Sequence, residues 1–141
     1  MNSLAMQPSR FSTAQFIEFR RDDPLMNFIG ETMIAQLDDK TVLRVTCNPQ
    51  AANPQGILHG GILSSVCDVG MYEAAKRSLK SECVTLSQEM KFLRAGRAND
   101  PIHVICEITK PGRRVVFTSA VVVQADIVIS SSTAQWMPIA V

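Results

Sequence analysis

The 141-residue sequence is poor in charge, in aromatic side chains and in long apolar runs. Charged residues make up 19% of the chain and the formal net charge is only +1. That balance indicates neither a disordered chain nor a protein that binds nucleic acid or a membrane surface by charge. No apolar run approaches the roughly 18 residues of a membrane-spanning helix, and the N-terminus does not resemble a signal peptide. We therefore predict a soluble, cytoplasmic protein.

The sequence also lacks the patterns that bind metals or form disulfide frameworks. Its two histidines and four cysteines lie far apart and form no Cys-x-x-Cys or Cys/His ligand spacing. Because the cysteines stand among apolar residues, we interpret them as small core side chains with reduced thiols. They are Cys47, Cys67, Cys83 and Cys106. We therefore expect no metal.

The apolar residues, 46% of the chain, are enough for the core of one domain. The stretches STAQFIEFRRD and DDPLMNFIG have the cap candidates, apolar spacing and first-turn proline of a short N-terminal helix. A β-hairpin follows over 31–47. A long helix from Gly61 to about Leu79 and four strands rich in β-branched residues complete the chain. Short connections between strands predict an α+β domain, with the long helix packed on an antiparallel sheet.

The long helix begins with two glycines. Gly60 and Gly61 have no side chain to shield the first amide groups of the helix, which lack intrahelical partners and carry partial positive charge. Such a tip can bind an anion or polarise a carbonyl oxygen, although a tight turn into the helix also explains two glycines. The apolar stripe that we expect to cover the sheet is Leu63, Val66, Cys67, Gly70 and Ala74.

Asp68 is a carboxylate in the otherwise apolar first half of this helix. It follows Gly61 by seven residues, so it returns to nearly the same face roughly 10 Å further along the axis. Aspartate is a poor residue inside a helix, and its burial among apolar neighbours costs free energy. It is therefore a candidate functional group, although a hydrogen bond to a nearby serine or tyrosine, or a wet interface, also explains it.

The spacing of these two features predicts an oligomer. Roughly 10 Å is too far for one helix to hold a carbonyl at Gly60 and attack it with its own Asp68. A second copy of the helix, antiparallel across a two-fold axis, would bring one subunit's Asp68 near the other's Gly60. If the two groups form one site, that site requires a dimer.

The segment NPQGILHGGILSSVCDVG is similar to the motif of acyl-CoA thioesterases of the PaaI-like branch of the hotdog fold, which includes phenylacetate-type and 4-hydroxybenzoyl-CoA thioesterase-like enzymes. Those enzymes carry an Asn, a Gly, a His-Gly-Gly and an Asp nine residues after the His. The matching residues are Asn53, Gly56, His59, Gly60, Gly61 and Asp68. DPLMNFIG, TLSQEMKFLRAG and KPGRRVVFTSAVV also resemble family segments, with Ala95 where Pro is usual. The resemblance covers nearly the whole chain from about residue 24.

The resemblance implies a single hotdog thioesterase domain over 1–141, with an antiparallel sheet wrapped around the long central helix and 1–11 as a candidate flexible segment. It implies hydrolysis of an acyl-CoA to a free acid and CoA. No separate cofactor is implied, because CoA is part of the substrate. The implied assembly is at least a homodimer, with a homotetramer of two dimers expected, and no nucleic-acid or membrane partner.

The resemblance also assigns roles within the site. The Gly60 amide would polarise the thioester carbonyl, and Asn53 would position that carbonyl or the water. Asp68 from the second subunit would act as general base or nucleophile. Thr85 matches the strand position at which relatives place a hydroxyl that orients water, and Ser87, which an alternating strand puts on the same face, is its rival.

The remaining site predictions concern substrate binding. His59 is expected to shape the loop and Gly61 to complete the helix tip. Met71, Tyr72 and Phe92 are candidates for the acyl pocket. The interval from Lys91 to Arg114 is rich in basic residues, and Arg113 and Arg114 are our choice for the CoA phosphates.

Two other functions remain open. A hotdog hydratase or dehydratase needs a catalytic His with an acidic partner, and here only His59 is a candidate, because His103 is expected to be exposed on a strand. A non-catalytic acyl-CoA sensor would use the same pocket but would have no need of Asp68. Release of a thiol from an acyl-CoA separates these functions.

Overall fold

The computed structural model of the protein describes residues 15–19 and 22–139. Within these residues the chain forms seven strands, two α-helices and one 3₁₀ turn at Pro49–Ala51. The helices are α1 (Pro24–Ile29) and α2 (Gly60–Leu79). The strands are β1 (Ile17–Glu18), β2 (Gly30–Leu37), β3 (Lys40–Cys47), β4 (Cys83–Phe92), β5 (Ile102–Lys110), β6 (Val116–Gln124) and β7 (Ile127–Pro138). No helix in the described part of the chain is both long and apolar enough to cross a membrane.

The strands form one antiparallel sheet in the order β1-β2-β3-β5-β6-β7-β4, and α2 packs against it. This arrangement confirms the predicted α+β architecture, the hairpin and the long helix. The order of the strands in the sheet departs from their order in the chain at β4, which pairs with β7 rather than with β5. Strand β4 is therefore an edge of the sheet, and the connection over 93–101 must cross to the middle of it.

The prediction of a helix through STAQFIEFRRD is wrong over the part that the structure describes. Ile17 and Glu18 form a short strand opposite Ile34 and Met33 of β2, because pairing with an open sheet edge outweighs a weak local helix signal. The candidate flexible segment 1–11 lies outside the described residues.

The second half of that prediction, a helix with proline in its first turn, is confirmed by α1. The side chain of Asp23 accepts hydrogen bonds from the backbone N–H groups of Leu25 and Met26, at 3.0 and 3.2 Å, and so caps the helix. The helix ends at Gly30, where a Cβ would lie 2.0 Å from the carbonyl oxygen of Thr46. Only glycine fits at this close approach of two backbones.

The predicted apolar stripe of α2 is buried, and it is not the only buried face of the helix. At Gly70 a Cβ would lie 2.7 Å from Sγ of Cys106, so the glycine allows the helix to approach the sheet closely. Val69, Met71 and Ala75 are buried as well, and strands β3 to β7 all contact α2. Met71 is 0% exposed and packs in the core, so it does not line an open acyl pocket in the single chain.

A β-bulge divides strand β4 into two segments with opposite alternation. Thr85 lies opposite Trp136 of β7, but Ser87 lies opposite Gln135, so Leu86 is the extra residue. Before the bulge Thr85 faces α2, and after it Gln88 and the alternate residues Met90 and Phe92 do so. The prediction that strict alternation puts Thr85 and Ser87 on the same face of the strand is therefore wrong.

Candidate active site

The N-terminal tip of α2 exposes backbone N–H groups. His59 occupies the N-cap position with an extended backbone, and its side chain makes no capping hydrogen bond. The N–H groups of Ile62 and Leu63 bond to the carbonyl of His59, whereas those of Gly60 and Gly61 have no hydrogen-bond partner within the described residues. Two donors at the positive end of a 20-residue helix are thus available to an oxygen atom of a ligand.

The two glycines at this tip differ in their surroundings. A Cβ at Gly60 would lie 3.1 Å from Cζ of Phe92, which is the last residue of β4. A Cβ at Gly61 would meet nothing within 4 Å. Phe92 is 56% exposed, so its ring forms an apolar wall beside Gly60 without closing the tip.

Asn53 holds the loop that leads into the helix. Its Oδ1 accepts hydrogen bonds from the N–H groups of Gln55 and Ile57, both at 3.0 Å. Gly56, with φ of +79°, completes the turn in a conformation that favours glycine. Because Oδ1 is already used, Nδ2 is the donor that Asn53 can offer to a ligand. The side chain thus has a structural role that its position in the motif did not reveal.

Asp68 contacts one hydroxyl group of the neighbouring strand. The Oγ1 of Thr85 donates a hydrogen bond of 2.8 Å to Oδ1 of Asp68. No other side-chain hydrogen bond or ion pair to this carboxylate is found in the described part of the chain, so Oδ2 is available. Ser87, the rival candidate, lies on the opposite face of β4 because of the bulge.

Helix α2 and strand β4 run antiparallel, and we call the pair the α2–β4 strip. Phe92 contacts the tip at Gly60, and Thr85 contacts Asp68 at the other end of the strip. Between them Nε2 of Gln88 donates to the carbonyl of Ser64 at 3.0 Å and so holds the strand against the helix. Gln88 was not among the predicted site residues, because strict alternation along β4 from Thr85 would turn it away from the helix and only the bulge turns it inward.

The two ends of the strip cannot act on one substrate atom within a single chain. Asp68 follows Gly60 by eight residues, about 12 Å along the axis of a regular helix, whereas a base must reach its substrate through one hydrogen bond or one water. The arrangement offers hydrogen-bond donors for a developing negative charge at one end and a carboxylate at the other. Such groups suit acyl transfer to water.

Comparison with known proteins identifies the family. A family model described as the thioesterase superfamily matches residues 55–130, which include α2 and the strands β4 to β6. The chain belongs to the thioesterase superfamily. The predicted thioester hydrolase activity is thereby confirmed at the level of the family.

Individual relatives of this thioesterase agree with the family and with the predicted fold. A Pseudomonas aeruginosa protein, named for an inferred esterase activity, is 30% identical over 103 residues, covering 71% of this chain and 77% of its own. The Escherichia coli PaaI protein from the phenylacetic acid degradation operon superimposes with a TM-score of 0.76 at 20% identity, over 84% and 86% of the two chains. A Streptococcus pneumoniae protein described as a hypothetical thioesterase and solved with coenzyme A superimposes with a TM-score of 0.71 at 21% identity, over 79% of this chain and 88% of its own. These structures confirm the hotdog fold.

Tyr72 lies one helical turn beyond Asp68 in the thioesterase. Its ring packs edge-to-face on Trp136, with centroids 6.0 Å apart, and its hydroxyl donates to Glu82. Burial and the Glu82 carboxylate raise the pKa of Tyr72 to about 12, so the phenol stays protonated. Tyr72 also lines a cavity of about 720 Å³ together with Ile17, Glu18, Phe19, Ile34, Glu73 and Lys76.

Basic residues of the interval from Lys91 to Arg114 fall into separate groups, and only Arg113 and Arg114 were predicted to hold phosphates. Arg113 and Arg114 are exposed in the turn between β5 and β6. Val116, just after this turn, pairs with Trp136, and Trp136 also pairs with Thr85. The turn therefore lies at the same end of the sheet as Thr85. Arg97, in contrast, is bridged to Ile57 in the loop that leads to the tip of α2.

Other titratable groups of the thioesterase are buried within the protein. His103 is 8% exposed, so the expectation that it lies on the surface is wrong, and burial together with Arg44 lowers its pKa. The four cysteines are free and buried, as predicted for core side chains. Burial and the adjacent Asp68 raise the pKa of Cys67 to about 12. Among the described residues, no three potential metal ligands are grouped together.

Proposed function

We propose that the protein is an acyl-CoA thioesterase whose active site is shared between two subunits. The observation that carries the proposal is the hydrogen bond between Thr85 and Asp68, 2.8 Å long, beside a strand that is an edge of the sheet. This contact positions a carboxylate with one oxygen available, in a family of thioester hydrolases. The S. pneumoniae thioesterase, which was solved with coenzyme A, supports CoA as the thiol part of the substrate.

The edge strand β4 is suited to pairing with a second copy of itself. It is 10 residues long, and large apolar side chains on it are exposed, including Val84 at 42%, Leu86 at 48% and Phe92 at 56%. Long apolar edges are unusual in proteins that remain monomeric. Antiparallel pairing of β4 with its copy reverses one strip relative to the other. Asp68 of one subunit then comes to the Gly60 tip of the other.

In this shared site the thioester oxygen accepts a hydrogen bond from the amide of Gly60, aided by the helix dipole. Nδ2 of Asn53 positions the carbonyl or the water. The second subunit's Asp68, oriented by Thr85, takes a proton from water, and the hydroxide attacks the carbonyl carbon. The tetrahedral intermediate collapses to the free acid and the CoA thiolate, which takes up a proton. Direct attack by the carboxylate through an anhydride is the alternative route.

The surrounding residues have supporting roles in the proposal. His59 and Gly61 shape the tip, and Tyr72 and Phe92 border the acyl group. Arg113 and Arg114 remain predictions as contacts of the CoA phosphates. A homotetramer of two dimers, a single domain over 1–141 and a cytoplasmic location also remain predictions. No separate cofactor is required, because CoA belongs to the substrate.

The proposal is tested by thiol release from a panel of acyl-CoAs, with Asp68→Asn as the variant. Loss of a general base lowers kcat/KM by about 10²- to 10⁴-fold. The matched control is Asp126→Asn, an exposed aspartate at a turn with φ of +66°, which asparagine also tolerates. The control should retain wild-type activity.

Two results would contradict the proposal. Rapid release that Asp68→Asn leaves unchanged removes the catalytic role of the carboxylate. Tight binding of acyl-CoA by the wild type without any release favours the sensor function instead. Comparison of kcat/KM across the panel identifies the acyl group that the site prefers.

A further inference from the structure

The connection between β4 and β5 is held in a fixed conformation beside the helix tip. The side chain of Gln124 is 7% exposed, and its Oε1 accepts a hydrogen bond of 2.8 Å from the N–H of Arg97. Its Nε2 donates to the carbonyls of Arg97 and Asp100 at 2.9 and 3.0 Å. One buried amide thus makes three hydrogen bonds to the backbone of this connection, and it orders the loop without using the side chain of Arg97.

The same loop is attached to the segment that carries Asn53. The N–H of Leu58 donates to the carbonyl of Gly96 at 2.9 Å, and the N–H of Ala98 donates to the carbonyl of Gly56 at 3.3 Å. A cavity of about 480 Å³ lies between the two segments. This volume is within the roughly 300–1,000 Å³ that small-molecule sites occupy. The polar residues that line it are Asn53, Arg97, Asn99 and Asp100.

Arg97 brings positive charge to this cavity. Its side chain is exposed, and Nη1 donates to the carbonyl of Gln55 at 3.1 Å. No ion pair of this guanidinium is found within the described residues, so most of its five N–H donors are available to a ligand. Asp100 is the acidic group of the lining. The fork of donors on a guanidinium matches the oxygens of a phosphate.

We propose that this cavity binds a phosphate group of the CoA part of the substrate, with Arg97 as the phosphate ligand. The inference rests on the proposed acyl-CoA thioesterase function and places the phosphates on the subunit that supplies Gly60. It differs from the prediction for Arg113 and Arg114, which lie in a turn at the other end of the sheet.

The test compares two thioesters of the same acid, acyl-CoA and acyl-pantetheine, which lacks every phosphate. Arg97→Ala should raise KM for acyl-CoA about tenfold or more, because a charge-assisted contact is lost, and leave kcat/KM for acyl-pantetheine within about twofold. Arg97→Lys should retain part of the affinity for acyl-CoA. Asp100→Asn should lower KM for acyl-CoA, because it removes from the cavity a negative charge that repels the phosphate.

The matched control is Arg94→Ala. Arg94 is an exposed arginine of the same connection, and its Nη1 also donates to a backbone carbonyl, that of Val128 at 2.9 Å, but it does not line the cavity. Both substrates should keep wild-type kinetics in this variant. The inference would be overturned if Arg97→Ala lowered kcat/KM equally for both substrates, or changed it for neither. A higher KM for acyl-CoA in Arg113→Ala or Arg114→Ala but not in Arg97→Ala would also overturn it.

Calorimetric titration with free CoA separates this inference from the proposed function. If the wild type binds CoA and Arg97→Ala weakens that binding about tenfold, the phosphate site is supported whether or not any acyl-CoA is hydrolysed. If Arg97→Ala binds CoA as tightly as the wild type, the inference fails while the catalytic proposal stands on the Asp68 experiment.

Discussion

The two ends of the α2–β4 strip are built from different chemical groups. At one end Gly60 and Gly61 offer backbone N–H groups at a helix terminus, with the ring of Phe92 beside Gly60. At the other end Asp68 and Thr85 offer a carboxylate and a hydroxyl joined by a hydrogen bond. The first end can stabilise negative charge, and the second can accept a proton.

This difference is the basis for proposing a site that is shared between two subunits. The backbone end depends on the absence of side chains, whereas the acidic end depends on two specific side chains on separate elements. Because about 12 Å of helix separates Gly60 from Asp68, we propose that the two functions meet when a second strip lies antiparallel to the first. In this proposal the exposed edge of β4 is the surface for that contact.

The largest loss of activity is expected from a substitution that prevents two subunits from pairing through β4, because the two ends of the strip then cannot meet. Leu86→Lys places a cation on the exposed bulge residue of the edge strand, so two copies repel across the two-fold axis. We expect monomers in sedimentation and loss of activity by more than about 100-fold, because neither end is complete alone. Ile127→Lys, at an equally exposed apolar residue away from β4, is the control and should remain assembled and active.

A smaller effect is expected from a change at the backbone end. Gly60→Ala adds a methyl group 3.1 Å from Cζ of Phe92, so the ring must shift and the amide is partly covered. We expect kcat to fall about 10- to 100-fold, within the range for a weakened oxyanion donor, with unchanged thermal stability. Gly61→Ala meets no atom within 4 Å and should lose less activity. Equal effects at the two glycines would show that the Phe92 contact is irrelevant.

The smallest effect is expected at the acidic end when the carboxylate itself is kept. Thr85→Val keeps the shape of the side chain but removes the donor to Oδ1 of Asp68, and we expect kcat to fall about tenfold. Ser87→Val, two residues away on the opposite face of the bulged strand, should leave kcat unchanged. If Ser87→Val and Thr85→Val have the same effect, the hydrogen bond does not orient the base.

Much of this strip could be predicted because its signals are local. Paired glycines at a helix start and an aspartate inside an apolar helix each depart from the usual pattern, and both lie at the predicted places. The stripe from Leu63 to Ala74 was equally readable from periodicity, because burial of α2 follows the helical repeat.

Features that depend on partners distant in sequence could not be predicted. The bulge at Leu86 is defined only by the register of β4 against β7, and it decides that Thr85, not Ser87, reaches Asp68. His103 was expected on the surface, but the structure buries it, with Phe16 in edge-to-face contact. Pairing of Ile17 with β2 likewise requires the sheet to exist first.

Subunit mixing tests the shared site most directly. An Asp68→Asn subunit retains its glycine tip, and a Gly60→Val subunit, whose added side chain covers the tip amide, retains its carboxylate. Each variant alone should be inactive. Reassembled as an equal mixture, half of the dimers are hybrids with one fully wild-type site, so activity should recover to roughly one quarter of the wild type. A mixture no more active than its two components would mean that tip and acid do not act across two subunits.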